Sequence, residues 1–387
     1  MNVKEIFQFY LPTKIIFGKD SFLNIGDHLS DYGKKALIIT NRFWLKERKI
    51  LKHLSDELNR VKIRHLFSEP ILPEPTMAAV DSSVILANSE KIDMIIGVGG
   101  GSVLDVGKAV AIMVNNKGHV SRYLEVDGSA HLKNKGIQFI AIPTTAGTGS
   151  EVTKNSVLYN PKTRIKRSLR DLRMFPDIAI IDPALSRYMS KELTAFTGID
   201  AFSHLIEGYL SILSSELTDI LGLYGINLIK KNLPKACSVK DDNIKVRSNL
   251  SLSSMLGGFM LSNSGMGICH GLAGTLGAKP EFTHSKAIAY LLPSVLEYVS
   301  EKTEKAKFLI KLMTGSSDIK KIKPWFKNFY GKIGITNQLK VLVLTNNDIS
   351  ETAAFSLNAS SMKGSPVPVT KKGLQFILNS AQAFNQK

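Results

Sequence analysis

Of the eight histidines in this 387-residue chain, only three lie beyond residue 131: His204, His270 and His284. Each sits in an unusual segment. Residues 198–207 read as a helix start followed by helix, and within them Asp200 and His204 are four apart. On a helix, that spacing puts both side chains on one face, one turn from each other. A carboxylate and an imidazole so placed are good ligands for zinc or ferrous iron. The same pair is also an ordinary surface contact or an N-terminal charge effect. His270 follows the glycine-rich Ser264-Gly265-Met266-Gly267, and His284 comes 14 residues later, after Pro280-Glu281-Phe282-Thr283. Across that gap a chain can leave one helix, turn and return to the same point. Together, these contexts make Asp200, His204, His270 and His284 a plausible metal cluster.

Two further segments suit a phosphate-bearing ligand. The run Met94-Ile95-Ile96-Gly97-Val98 leads into Gly99-Gly100-Gly101-Ser102, with Asp105 and Lys108 following in an apparent helix. Glycines there let the backbone approach a pyrophosphate, and a helix N-terminus supplies free N–H groups and a favourable dipole. Ser102 stands where the last glycine of the usual dinucleotide fingerprint belongs, so the turn alone is weak evidence. A second loop, residues 143–153, packs hydroxyls and glycines where another strand-like run ends. It could equally be a helix-capping loop, with Ser150 or Thr148 as the cap. Ligands of open α/β sheets bind beyond the carboxyl ends of the strands, and two such loops favour a nucleotide crevice.

The elements that must position these residues divide the chain in two. Runs at 36–40, 94–98 and 139–143 are short, β-branched and bounded by turn residues, as strands buried on both faces of a parallel sheet are. Helical stretches at 44–58 and 75–89 alternate with them, and residues 177–181 form a last strand. After Pro183 the pattern turns helical, with the longest stretches at 217–231 and 244–261. The expected domains are therefore 1–185, α/β with a parallel sheet flanked by helices, and 186–387, helical.

Composition bounds the rest. Hydrophobic residues at 44% and charged residues at 21% suit a chain that buries a real core. No run of ~20 apolar residues suggests a membrane span, and the N-terminus lacks the order of a secretory signal. Two cysteines make no disulfide framework, which fits a reducing cytoplasm. The net charge of +17 is spread along the chain, and its densest run, residues 162–173, carries no recognisable nucleic-acid-binding signature. A lysine-rich solvated surface is the favoured reading, with no nucleic-acid or membrane partner.

Over nearly its whole length, from Lys14-Ile15-Ile16-Phe17-Gly18 to about Leu296, the chain resembles the iron-containing (group III) alcohol dehydrogenases. The resemblance rests on Gly99-Gly100-Gly101-Ser102 with Asp105, on residues 143–151, on residues 198–207, and on His270 with His284. It implies a Rossmann-like N-terminal domain and an all-α C-terminal domain, in the dehydroquinate-synthase-like architecture, with a cofactor cleft between them. It implies one Fe²⁺, or alternatively Zn²⁺, on Asp200, His204, His270 and His284, and a small primary alcohol or diol interconverted with its aldehyde by hydride exchange with NAD or NADP. Thr144, Thr145 and Thr148 would lie along the cofactor, Lys166 near its ribose, and Asn155 and Leu261 at the substrate pocket. A homodimer is also implied. Rivals on the same scaffold are glycerol-dehydrogenase-like and dehydroquinate-synthase-like enzymes, which usually use three protein ligands.

Two positions depart from the family pattern. Many members carry a further histidine four residues after the third ligand, credited with proton relay, and here that residue is Gly274. Members that select NAD often have an aspartate after the second strand, which accepts from the ribose hydroxyls. This chain has Asn41 followed by Arg42, which would tolerate NADP.

Overall fold

The computed structural model describes residues 6–126, 128–161, 165–238, 240, 242–277, 279 and 281–386. It divides into two compact units, Leu11–Tyr188 and Met189–Lys387 together with Met1–Tyr10. The sequence placed the N-terminal segment with the α/β domain. Its described part instead joins the helical unit, where the Tyr10 N–H donates to Asn263 Oδ1 at 2.7 Å and Phe9 packs edge-on against Phe259.

The first unit is built on six parallel strands in the order β1-β8-β5-β4-β2-β3. These are β1 (Lys14–Phe17), β2 (Lys35–Thr40), β3 (Arg64–Phe67), β4 (Met94–Gly99), β5 (Gln138–Pro143) and β8 (Ile178–Ile181). Side chains along a strand alternate between the two faces, so a strand covered on both sides must be apolar at every position. Leu37, Ile39, Ile95 and Phe139 meet Val103, Val106 and Val110 of helix Gly101–Met113 on one face. Ala36, Ile38, Ile96 and Ile140 meet Leu51, Leu54 and Leu58 of helix Arg48–Arg60 on the other. The expected 44–58 helix is in fact two helices, Arg42–Lys46 and Arg48–Arg60, broken at Glu47.

From β2 the chain steps outward to β3 and then crosses to the opposite side of β2 at β4. The strand order therefore reverses between β2 and β4, the point at which doubly wound sheets leave a crevice. The sequence did not anticipate an antiparallel hairpin of β6 (Asn155–Asn160) and β7 (Ile165–Arg170). The basic run falls on its turn and second strand, and residues 162–164 of that run lie outside the described residues.

The second unit is helical, with no strand among its described residues. Its centre is helix Lys191–Leu210, buried without a break from Gly198 to Leu210. Around it lie Glu216–Ala236, Ile244–Asn263 and His284–Ser300, with Ile268–Leu276 packed on the last of these. The helix expected to start near Gly198 starts at Lys191, because the Ser190 side chain caps it by accepting from the Leu193 N–H. Gly198 is interior, and a Cβ there would stand 2.4 Å from Leu233 Cδ1, so glycine permits close packing of two helices. Among the described residues no helix is long and apolar enough to cross a membrane.

Candidate metal centre and nucleotide loops

Three helices of the second unit converge on one point. Asp200 and His204 come from the central helix Lys191–Leu210, one turn apart and each 3% exposed. His270 is the third residue of helix Ile268–Leu276, and His284 is the first of helix His284–Ser300. One donor atom each from Asp200, His270 and His284 lies within 4.8 Å of the others. His270 Nε2 is 3.8 Å and His284 Nε2 3.7 Å from the same Asp200 oxygen, Oδ1. The His204 ring stacks on that of His270 with centroids 4.5 Å apart and planes 21° from parallel.

These distances are too long for hydrogen bonds, and both Asp200 Oδ1 and His270 Nε2 are buried with no hydrogen-bond partner. A buried carboxylate oxygen or imidazole nitrogen left without a hydrogen bond is costly. Donors about 2.0–2.2 Å from a tetrahedral divalent ion stand roughly 3.4 Å from one another, so the observed spacings are close to those a ligand set would have. The donor chemistry, one carboxylate and imidazole nitrogens, fits zinc or ferrous iron.

His270 is held from behind. Its Nδ1 lies 2.5 Å from Glu207 Oε2, and Glu207 also accepts the backbone N–H groups of Cys269 at 2.6 Å and His270 at 3.2 Å. Burial works against a charged His270, yet the Glu207 hydrogen bond and the charges of Glu207 and Asp200 outweigh it and raise the imidazole pKa. Burial, then the same two carboxylates, pushes the Cys269 thiol well up, so it stays protonated. Glu207 ends the 198–207 segment, and no pattern in the sequence gives it a role.

In the first unit the two hydroxyl–glycine loops face each other. β4 and β5 run in register to Gly99 opposite Pro143, and the Thr144 N–H donates to the Gly99 carbonyl at 3.0 Å. A Cβ on Gly101 would stand 2.7 Å from Thr148 Cγ2, so only glycine allows this approach. Helix Gly101–Met113 begins at Gly100 without a side-chain cap. Other expected cofactor residues are engaged within the unit. Thr144 Oγ1 accepts the Trp44 indole N–H at 3.2 Å, Ser102 Oγ donates to the Pro73 carbonyl at 2.5 Å, and Lys166 pairs with Glu74 at 2.8 Å. Asn41 caps the helix after β2 by accepting from the Trp44 N–H at 3.2 Å. Asn155 lies on β6 with Oδ1 buried and unpartnered, whereas Leu261 is half-buried in helix Ile244–Asn263 of the other unit.

Comparison with known proteins bears on both units. Residues 12–183 match the family described as iron-containing alcohol dehydrogenase, and residues 194–382 match the C-terminal domain of the Fe-containing alcohol dehydrogenase family. The chain belongs to the iron-containing alcohol dehydrogenase family. Long-chain-alcohol dehydrogenase 1 of Geobacillus thermodenitrificans is 33% identical over 82% of each chain. Alcohol dehydrogenase 4 of Saccharomyces cerevisiae is 30% identical over 97% of this chain and 98% of its own. A crystal structure of an iron-containing alcohol dehydrogenase from Thermotoga maritima, 29% identical, superposes with a TM-score of 0.85 over 98% of this chain and 100% of its own. This iron-containing alcohol dehydrogenase family member is accordingly a metal-dependent oxidoreductase of alcohols and aldehydes, working with a nicotinamide cofactor.

Proposed function

We propose that Asp200, His204, His270 and His284 hold one divalent ion, Fe²⁺ or Zn²⁺, and that the enzyme interconverts a small primary alcohol or diol and its aldehyde with NAD or NADP. The observation that carries this reading is the pair of buried, unpartnered donor atoms, Asp200 Oδ1 and His270 Nε2, aimed at a shared point with His284. When bound, the ion supplies Lewis acidity toward the substrate oxygen, and the nicotinamide gives or takes the hydride. Asp200 contributes the one negative charge of the set, so three neutral imidazoles leave the centre net positive toward an alkoxide.

The His284 side chain is 43% exposed while those of Asp200 and His270 are at most 8% exposed, which makes the His284 side the open face of the cluster. Gly274 lies one turn beyond His270 on the same helix face, and a Cβ there would meet nothing within 4 Å. With no side chain at 274 to take a proton, the route in this reading passes through water on that open side. Gly99, Gly100, Gly101, Thr145 and Thr148 would line the cofactor pyrophosphate. The helix start at Gly100 has backbone N–H groups to offer. Asn41 with exposed Arg42 after β2 supports acceptance of a 2′-phosphate.

Purified enzyme and the Asp200→Ala variant, assayed with short and longer aldehydes against NADH and NADPH beside metal analysis, test the proposal. One equivalent of iron or zinc in the parent, with loss of both metal and turnover in a folded variant, is expected. Full activity in a metal-free variant would reject it.

A further inference from the structure

Helix Ile268–Leu276 starts at Gly267, which has no side chain to cap it. The first N–H groups of any helix need acceptors from elsewhere. Here they are met by a side chain 62 residues before Cys269 in sequence. Glu207 Oε1 accepts from the Cys269 N–H at 2.6 Å and Oε2 from the His270 N–H at 3.2 Å. A Cβ on Gly267 would lie 2.9 Å from Glu207 Oε1, so the bare N-cap leaves room for the incoming carboxylate. The same Oε2 also meets His270 Nδ1 at 2.5 Å, and the Glu207 side chain is only 5% exposed.

A carboxylate only accepts, so His270 Nδ1 must carry hydrogen. That leaves Nε2 as the ring's free lone pair, and Nε2 is the buried, unpartnered atom near Asp200 and His284. Resting on the metal-site reading above, we infer that Glu207 is the positioning residue of the centre. One carboxylate caps the helix that carries His270, sets its tautomer, and aims Nε2 at the ion. Cap and ligand orientation are thereby one interaction: the helix cannot start in another register without releasing the imidazole. A carboxylate behind a ligating imidazole also strengthens it as a donor.

Glu207→Gln separates the two roles. Its amide oxygen still accepts the Cys269 N–H, so the cap survives in part. Its NH₂ group now faces Nδ1, which must accept, and the ring hydrogen moves to Nε2, the ligating atom. The expected result is a loss of roughly 10–100-fold in zinc affinity, read by competition with a chromogenic chelator. In metal-stripped protein at a pH where the His270 ring is neutral, ¹⁵N imidazole NMR should show its hydrogen on Nδ1 in the parent and shifted toward Nε2 in the variant. Glu207→Asp, an acceptor of shorter reach, should recover part of the affinity. Unchanged zinc affinity in Glu207→Gln with a lowered melting temperature would reduce Glu207 to a helix cap and overturn the inference. A parent protein whose neutral His270 ring carries its single hydrogen on Nε2 would overturn it without any variant. If the parent takes up no zinc, the metal reading fails instead, and the Nδ1 signature in that same protein still decides the role of Glu207.

Discussion

Asp105 and Ser150 lock the helix after the glycine turn to the 143–153 loop: the Ser150 hydroxyl donates to Asp105 Oδ1 at 2.6 Å. Asp105 Oδ2 accepts the Val157 N–H at 2.9 Å, and Lys108, one turn along the same helix, reaches Oδ1 at 3.2 Å. The Lys108 side chain is fully buried and donates to the Ser150 carbonyl at 3.1 Å and to Thr153 Oγ1 at 2.9 Å. One helix thus grips the loop through an aspartate and a lysine. Asp105 is engaged inside the protein, where it holds the 143–153 loop to the helix that follows β4.

Removing Asp105 leaves Lys108 buried without its counter-charge and two donors without an acceptor. Asp105→Ala should destabilise the protein by about 3 kcal/mol, the scale for breaking one side of a buried pair. Asp105→Asn, which keeps one acceptor, should cost less. Urea unfolding midpoints of the metal-stripped proteins measure the difference. A fall in the alanine variant no larger than that of an exposed substitution would show that the network contributes little.

Glu151 predicts a pH dependence of stability. Burial is the main cause that pushes its carboxyl from 4.5 up to about 7, with Lys108 acting in the opposite sense. The folded state therefore binds this proton more tightly than the unfolded chain does. Its contribution is fully present below about 4.5 and is lost as pH rises through about 7. At 1.36 kcal/mol per unit the upper bound is about 3 kcal/mol. Glu151→Gln should be less sensitive than the parent when unfolding at pH 5 is compared with pH 8, and should gain most at pH 8. Parallel curves for the two proteins across that range would contradict this.

The sheet was legible in sequence, and so was the pairing of Asp200 with His204 on one helix face, for a shared reason: each imposes a local pattern. Strands buried on both faces must be apolar throughout, and 94–98 and 139–143 are. Asp200 and His204 share a helix face at four-residue spacing, whatever helix carries them. The β6–β7 hairpin was not legible, because its second strand is half basic and Val157 points outward beside buried Leu158. Glu207 was not legible either. Its partners are the N–H groups of a helix start some 60 residues away, and no spacing rule links the two. Ser190, rather than Gly198, starts the central helix through a cap that the buried glycine obscured.

Under the proposed metal site, whose ligands come from three helices, metal occupancy becomes a stability term. An ion bound by the native state alone adds RT ln(1 + [metal]/Kd), about 2.7 kcal/mol at a hundred times Kd. Melting temperature should therefore climb with free zinc or ferrous iron and fall on chelation. In His204→Ala and His270→Ala that dependence should flatten. A parent protein whose melting is indifferent to metal across its binding range would show that ion binding and folding are not coupled here.

Gly274 offers a test of how the open side of the cluster is used. It sits inside helix Ile268–Leu276 without a positive φ, and a Cβ there meets nothing within 4 Å. Glycine in a helix interior costs about 0.5–1 kcal/mol relative to alanine, so Gly274→Ala should raise unfolding stability by about that amount. The variant removes no contact and leaves the ligands in place, so turnover of short aldehydes should be little changed. Gly274→Leu fills the same space with a bulky apolar side chain one turn from His270. If the carbon chain of the substrate occupies that space, kcat/KM should drop for longer aldehydes and hold for short ones. Kinetics over a homologous aldehyde series measure this. A loss independent of chain length would place the substrate elsewhere on the open face, with the leucine acting on the metal ligands themselves.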